Sequence, residues 1–511
     1  MRKRPNLKKA AVLGIFPILQ GVLFATGFAP LSYSWAALAA LVVFILSLWS
    51  AEKAGAAAVF AFFFGLGWFS TGLSWTMNSL AVHGRLPWVM AFAGLVLLAA
   101  LLSLLPAAAA WLAKKIAGKA PEFPFLFTGL FLLAEWLRGD WLLDFGWLTP
   151  AYAAMDTPYV AWATLSGVNG VNLAFLLSAA LLASFCVRLS RDRRGVSELF
   201  ALILIAAVGF LVRDVQWSTQ GPGIAVRLIQ PDLPVVDAWT QANPAERIRT
   251  LLPLAEGEWT GDIPRLVVTP EGVVNSLIDR LDPDSAQALG ELREKADAPI
   301  LFNGFRREKG AFFNTEFALD REGLVYRLDK RHLVPFGEFV PAGARWFVDL
   351  IGIPMTDLTS GSVSQPLMKV RDVSVGVLIC YENLYGNLLR RNADSGLPDL
   401  WVVTANLGWF GSNILGQYLD MSRMRAMETA RPIVQVSNTG MSALIGPDGR
   451  VERFLAVEGR DSATLSVEGR VGGTTPFVKL GDWPALISTG LLLLLSLFCR
   501  RRRLQKKIFC H

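Results

Sequence analysis

The sequence predicts a polytopic α-helical membrane domain of about eight transmembrane helices joined to an α/β domain. Two observations carry this. Of the 511 residues, 53% are hydrophobic and only 18% charged, whereas a soluble protein carries about 25% charge. Apolar runs of near-spanning length crowd the first 213 residues and return near the end, and a stretch of ordinary polar composition, 220–475, interrupts them.

The apolar runs lie at about 10–29, 34–50, 54–74, 88–113, 124–138, 167–188, 198–213 and 483–499. The first has the basic start of a signal peptide, but no small-x-small cleavage site follows and further apolar segments come directly after, so it reads as a retained helix. The fifth and seventh are short and carry Glu135 and Glu198. Lys and Arg gather on the cytoplasmic side of membrane proteins. With the N-terminus inside, the inner connections hold Lys53, then Lys114, Lys115 and Lys119, then Arg188, Arg191, Arg193 and Arg194, and last the 500–507 tail. The outer ones hold only Arg85 and Arg138. Seven crossings then place the insert outside the cytoplasm. The expected division is a membrane domain at 1–219, an extracytoplasmic domain at 220–475, and a final helix with a basic cytoplasmic tail at 476–511.

Inside the insert, strand-like runs recur at Ile224–Ile229, Leu266–Val268, Pro299–Phe302, Phe312–Leu319, Val373–Ile379, Leu400–Thr404, Pro432–Val436 and Met441–Ile445. Charged helical stretches, Ser285–Lys295 and Gln417–Ala430, lie between them. That alternation argues for a layered α/β domain. The net charge of +7 does not point to nucleic acid, because basic residues sit at the ends of apolar segments and form no stripe interleaved with aromatics. The four cysteines, Cys186, Cys380, Cys499 and Cys510, are too far apart for a ligand cluster, so neither a metal site nor a disulfide framework is expected.

Three stretches carry chemistry. Cys380 ends the apolar run Val373–Ile379 and is followed by Tyr381 and Glu382, which sets a thiol at the rim of a sheet. Glu271 ends the run that begins at Leu266, and Lys330, His332 and Glu338 share the hinge from Tyr326 to Glu338. Singly these mean little: a cysteine is usually a small hydrophobe, and a Glu or Lys at a strand end is usually solvated. Together they can do acyl chemistry. A neutral-pH thiol needs a base, which Glu271 can be, and a developing oxyanion needs a cation or N–H, which Lys330 and the Tyr381 amide can supply. His332 is the one imidazole that could act instead, since His83 lies in a membrane loop and His511 ends the chain. Separate substitution of Lys330 and His332 distinguishes the two.

Glu271, Lys330 and Cys380, in that order and each at the end of a β-like run, resemble the Glu-Lys-Cys triad of the nitrilase (carbon-nitrogen hydrolase) superfamily. With Gly27-Phe28-Ala29-Pro30, the stretch Lys330 to Glu338, Ile379-Cys380-Tyr381-Glu382 and the membrane segments, nearly the whole chain resembles the membrane-bound apolipoprotein N-acyltransferase family. Two places depart from it. Asn406-Leu407-Gly408-Trp409-Phe410 stands where many members have Asn-Asp-small-Trp-Phe, and Gln417-Tyr418 stands in a segment that is otherwise His-rich.

The resemblance implies an α-β-β-α sandwich and no cofactor or metal. It implies that Glu338 holds Lys330 and helps position the thiol, that Tyr381 and Glu382 shape the pocket, and that Trp239, Asn314 and Trp147 are family positions. The implied reaction passes a phospholipid acyl chain to Cys380 as a thioester, then to the α-amine of an apolipoprotein's diacylglyceryl-cysteine, in ping-pong fashion. The implied location is the bacterial inner membrane, with the catalytic domain periplasmic and both termini cytoplasmic; the chain is expected to be a monomer. Two apolar stretches beside the motifs, 342–356 with Trp346 and Ile351 and 408–415 with Trp409 and Phe410, are expected to dip into the outer leaflet and gate lipid entry. The alternatives are a membrane-anchored amidase, told apart by release of free fatty acid or ammonia, and a non-catalytic membrane protein, against which the three intact residues argue.

Overall fold

The computed structural model describes residues 7–191, 194–235, 243–259, 261–341, 343, 345–346, 357–391 and 396–509. They divide into two compact units. One comprises Met1–Met77, Leu86–Val215 and Lys479–His511, the other Asn78–Arg85 and Gln216–Val478.

In the first unit, helices stand at each of the predicted places: α1 (Leu7–Ala25), α2 (Ser34–Ser50), α3 (Ala54–Gly72), α4 (Trp88–Ala117), α5 (Phe123–Trp136), α6 (Ala163–Leu189), α7 (Val196–Arg213) and the C-terminal helix Trp483–Phe509. Among the described residues, five helical stretches are long and apolar enough to cross a membrane, and Gly14–Ala25 and Ser34–Ser50 are shorter apolar helices. Helix α5 has 14 residues and continues without a break into the π-helical turn Leu137–Trp141. Small residues let α1 and α3 approach backbone to backbone. A Cβ on Gly21 would lie 2.0 Å from the Phe64 carbonyl oxygen, and one on Gly67 2.2 Å from that of Ile18. One buried pair in this unit joins Arg138 and Glu135, both wholly buried, at 2.6 Å, and Arg138 also donates to the Phe145 and Trp147 carbonyls.

The second unit holds two six-stranded sheets. The strands are β1 (Thr219–Gln230), β2 (Arg265–Val268), β3 (Ile300–Glu308), β4 (Ala311–Asp320), β5 (Gly323–Asp329), β6 (Met368–Val370), β7 (Val373–Ile379), β8 (Leu400–Ala405), β9 (Ile433–Ser437), β10 (Ala443–Ile445), β11 (Val451–Phe454) and β12 (Asp461–Val471). Their orders are β12-β1-β2-β3-β4-β5 and β11-β10-β9-β8-β7-β6. At the centres, β1, β2 and β3 run parallel, as do β7, β8 and β9. Parallel strands are covered on both faces, which is why Leu266, Val267 and Val268 are all buried. Helix α8 (Pro283–Ala296) begins with Asp282 accepting from the Ser285 N–H, and its Ala288, Leu289 and Leu292 pack with Val267, Ile300 and Phe302 of the first sheet. Helix α9 (Leu415–Thr429) packs beside β9 of the second sheet.

Strands β5, β6, β11 and β12 have no counterpart among the expected runs. The longest, β12, pairs antiparallel with β1 from Thr219↔Val471 to Gln230↔Asp461. Most of its residues are partly or fully exposed, so its sequence lacks the apolar signature used to find the others. The inclusion of 78–85 in this unit was equally invisible, because no local pattern ties a helix-to-helix connection to a domain that starts some 130 residues later.

Candidate active site

Three strand ends deliver the central groups. Strand β2 leaves the core through Thr269 and Pro270 and presents Glu271; β5 ends at Asp329 and is followed by Lys330; β7 ends at Ile379 and is followed by Cys380. The chain turns sharply at the thiol. Cys380 has φ +49°, a left-handed conformation uncommon for a residue with a side chain. The Tyr418 hydroxyl, from α9, donates to the Cys380 carbonyl at 2.8 Å and helps hold that turn.

Lys330 is 1% exposed, and its Nζ donates to Glu271 Oε1 and to Glu338 Oε1, both at 3.0 Å. Asn314 Nδ2 donates to the same two oxygens, at 2.9 and 2.8 Å. The remaining carboxylate oxygens take backbone donors: the Asn406 N–H reaches Glu271 Oε2 at 3.3 Å, and the Val334 N–H reaches Glu338 Oε2 at 2.8 Å. Burial alone would push the Lys330 pKa down; the Glu271 and Glu338 carboxylates more than reverse this and hold it above its ordinary range.

The Cys380 thiol is buried near the Glu271 carboxylate. Burial, and then the negative charge of Glu271, push the thiol well above its ordinary pKa; Lys330 offsets part of the effect. The resting sulfur is therefore a thiol, beside the Glu271 carboxylate and the Lys330 ammonium. His332 is placed differently: its ring stacks on Tyr385, with centroids 3.8 Å apart.

Glu382 is wholly buried and organises the backbone around the thiol. Its oxygens accept from the Ile379 N–H at 2.9 Å, the Arg331 N–H at 2.6 Å, the His332 N–H at 3.3 Å and the Arg331 guanidinium at 3.2 Å. Burial opposes its charge, but Arg331 and these hydrogen bonds prevail and lower its pKa. Tyr381 is buried against Tyr385, edge to face at 5.4 Å.

The chain is 35% identical over 497 residues to the apolipoprotein N-acyltransferase of Ralstonia nicotianae, a match covering 95% of this chain and 93% of that one. The chain belongs to the apolipoprotein N-acyltransferase family. A relative of the same name from Nitrosomonas europaea is 31% identical, covering 94% of this chain and 97% of its own. The family model described as apolipoprotein N-acyltransferase N-terminal domain matches residues 20–181, and the one described as carbon-nitrogen hydrolase matches 266–466. A solved nitrilase-superfamily structure from Saccharomyces cerevisiae aligns with 50% of this chain and 92% of its own at 17% identity and a TM-score of 0.36. Member of an acyltransferase family and rich in apolar helices, the chain is a membrane enzyme of nitrilase-type fold.

The remaining expected residues of this N-acyltransferase family member are scattered. Trp147 is in the first unit, buried and packed on Trp75 at 5.0 Å. Trp346 is 68% exposed beside Arg345, which pairs with Asp357. Trp239 and Ile351 lie outside the described residues. Trp409 and Phe410 are half-buried, and Ile414 and Leu415 are fully buried because they start α9 and face the domain interior. The 408–409 turn is held from the 78–85 segment. Asn78 Nδ2 and Ser79 Oγ both donate to the Trp409 carbonyl, at 3.3 and 2.9 Å, and the His83 ring bonds the Gly408 carbonyl at 3.2 Å and packs against Trp409.

Three contributors escaped sequence reasoning. Asn303 accepts from the Gly272 N–H at 2.8 Å and donates to Asn314 Oδ1 at 2.7 Å, fixing both neighbours of the carboxylates. Arg331 reads as part of a charged run yet is buried against Glu382. Tyr418 marked only a departure from the family pattern.

Proposed function

We propose that the chain transfers a fatty acyl group from a membrane phospholipid to the α-amine of the N-terminal diacylglyceryl-cysteine of bacterial apolipoproteins, through a thioester on Cys380. The observation that carries the mechanism is the cluster itself: a buried thiol beside the Glu271 carboxylate, which Lys330 holds at 3.0 Å. Because the thiol is protonated, Glu271 takes its proton as sulfur attacks the acyl ester carbonyl. Lys330 and the Tyr381 N–H face the oxyanion. The tetrahedral intermediate collapses by expelling the lysophospholipid oxygen, which receives the proton from Glu271. In the second half the lipoprotein amine attacks the thioester, an amide forms, and the proton released from nitrogen returns through Glu271 to the departing sulfur.

Glu338 and Asn314 hold Lys330 and Glu271 in register, and Tyr381 and Glu382 shape the pocket. Trp239 and Trp147 contribute to substrate binding, and the apolar residues Trp346, Ile351, Trp409 and Phe410 gate lipid entry. The chain crosses the inner membrane eight times as a monomer, its catalytic domain periplasmic and its termini cytoplasmic, with the basic connections in support.

The test is intact-protein mass spectrometry after incubation with phospholipid and no acceptor. The wild type is expected to gain one fatty-acyl mass that hydroxylamine removes and a diacylglyceryl peptide discharges, and Cys380→Ala to gain nothing. Accumulation of free fatty acid without an adduct would favour a hydrolase instead.

A further inference from the structure

One buried acid of the catalytic unit has no part in this mechanism. Glu316, on β4, is 0% exposed and points between the two sheets. One of its oxygens accepts from Thr404 Oγ1, on β8 of the opposite sheet, at 2.6 Å. The other is buried with no hydrogen-bond partner among the described residues. Glu316 stands two residues beyond Asn314 on the same strand face and directly opposite Asn303 in the β3–β4 register. Its neighbours therefore grip Glu271 from both sides. Asn303 accepts the Gly272 N–H, Asn314 donates to the Glu271 carboxylate, and Thr404 lies two residues before Asn406, whose N–H bonds the same carboxylate.

We propose that Glu316 is a positioning residue for the acyl-transfer reaction, holding, as a neutral acid, the strand ends that cradle Glu271. The charges around it leave no room for an anion. Those acting on it are the carboxylates of Glu271 and Glu382, and the nearby Tyr326 phenol is neutral. The cations of the site are engaged elsewhere: Lys330 with Glu271 and Glu338, Arg331 with Glu382. A carboxylate buried without a cation would go uncompensated, so the group keeps its proton. Burial, with the Thr404 bond opposing and the Glu271 charge adding, pushes it from 4.5 up to about 8.

This rests on Glu271 being the base, and the test separates the two ideas. The first readout involves no chemistry: the thermal midpoints of wild type and Glu316→Gln in detergent from pH 4 to pH 9. The unfolded group ionises near 4.5 and the folded one near 8. Wild-type stability from this group is thus full below 4.5 and declines toward 8. The Glu316→Gln midpoint is expected to rise progressively above that of the wild type across this window; parallel curves would overturn the neutral-acid assignment, whatever Glu271 does.

The second readout is the rate of Cys380 acylation by phospholipid vesicles against pH. The wild-type rate is expected to drop several-fold above pH 8 as an anion forms behind Glu271, and Glu316→Gln to lack that drop. Thr404→Val removes a bond that favours the anion and should move the drop to higher pH. Glu316→Ala should cost about tenfold at pH 7, most of it recovered in Glu316→Gln; a glutamine variant as slow as alanine would show that the charge is needed and refute the proposal.

Discussion

Replacing Lys330 by methionine is expected to slow acylation of Cys380 by about a thousandfold, the scale on which loss of one preorganised oxyanion donor is felt. The side chain length is kept and the ammonium is lost. Two further consequences follow from the geometry. Glu271 and Glu338 share Asn314 as well as Lys330. Without the cation they become two like charges held in one buried site, so one must take up a proton. If that is Glu271, the proposed base of the thiol is lost as well. The variant is also expected to be less stable by about 3–5 kcal/mol, since breaking a buried pair leaves an uncompensated charge. Because the folded pKa of Lys330 lies above its ordinary 10.5, the wild-type contribution is intact at neutral pH and is lost only in strong base. The variant, in contrast, should regain stability as the pH falls and its carboxylates are neutralised. Stopped-time mass spectrometry and denaturant midpoints in detergent read both effects. His332→Ala is expected to retain most of the acylation rate, and a thousandfold loss there instead would transfer the basic role to the imidazole.

Glu382→Gln is expected to destabilise the protein by about 3–5 kcal/mol, with acylation falling beyond what the lost stability explains. Arg331 would lose its only charged partner among the described residues. The new amide nitrogen would also face a backbone N–H, because both carboxylate oxygens now accept from the main chain. The Ile379 N–H belongs to the residue just before the thiol, so its displacement is felt at Cys380. The pH signature runs opposite to that of Glu316. Glu382 has a depressed folded pKa, so its stabilisation is present above the ordinary 4.5 and is lost as the pH falls further. The difference between wild type and Glu382→Gln should therefore narrow below pH 4.5. Midpoints that differ by a constant amount down to pH 3 would mean that the carboxylate charge is not what holds Arg331.

The apolar periodicity made the membrane helices and the central strands legible, because burial on both faces leaves unbroken runs such as Val373–Ile379. The family pattern then made Glu271, Lys330, Glu338, Cys380 and Glu382 legible as a set. What escaped were groups whose partners lie far along the chain. Thr404 and Glu316 are 88 residues apart and meet only because the sheets face each other. Asn303 looks like any polar residue at the end of an apolar strand, and its role appears only when β4 is laid beside it. The edge strands were missed for a simpler reason: most of their residues are partly or fully exposed, and such strands do not form apolar runs.

The eight residues from Asn78 to Arg85 give the catalytic unit an unusual genetic property. Their neighbours in the chain, Met77 and Leu86, belong to the helical unit, while Asn78, Ser79 and His83 clasp the 408–409 turn. A gene fragment encoding 216–478 therefore specifies an incomplete catalytic unit, and recombination could not exchange that unit as one cassette. Any lineage that swaps the hydrolase-like half must inherit or rebuild a short piece written between two membrane helices, which ties the descent of the two halves together.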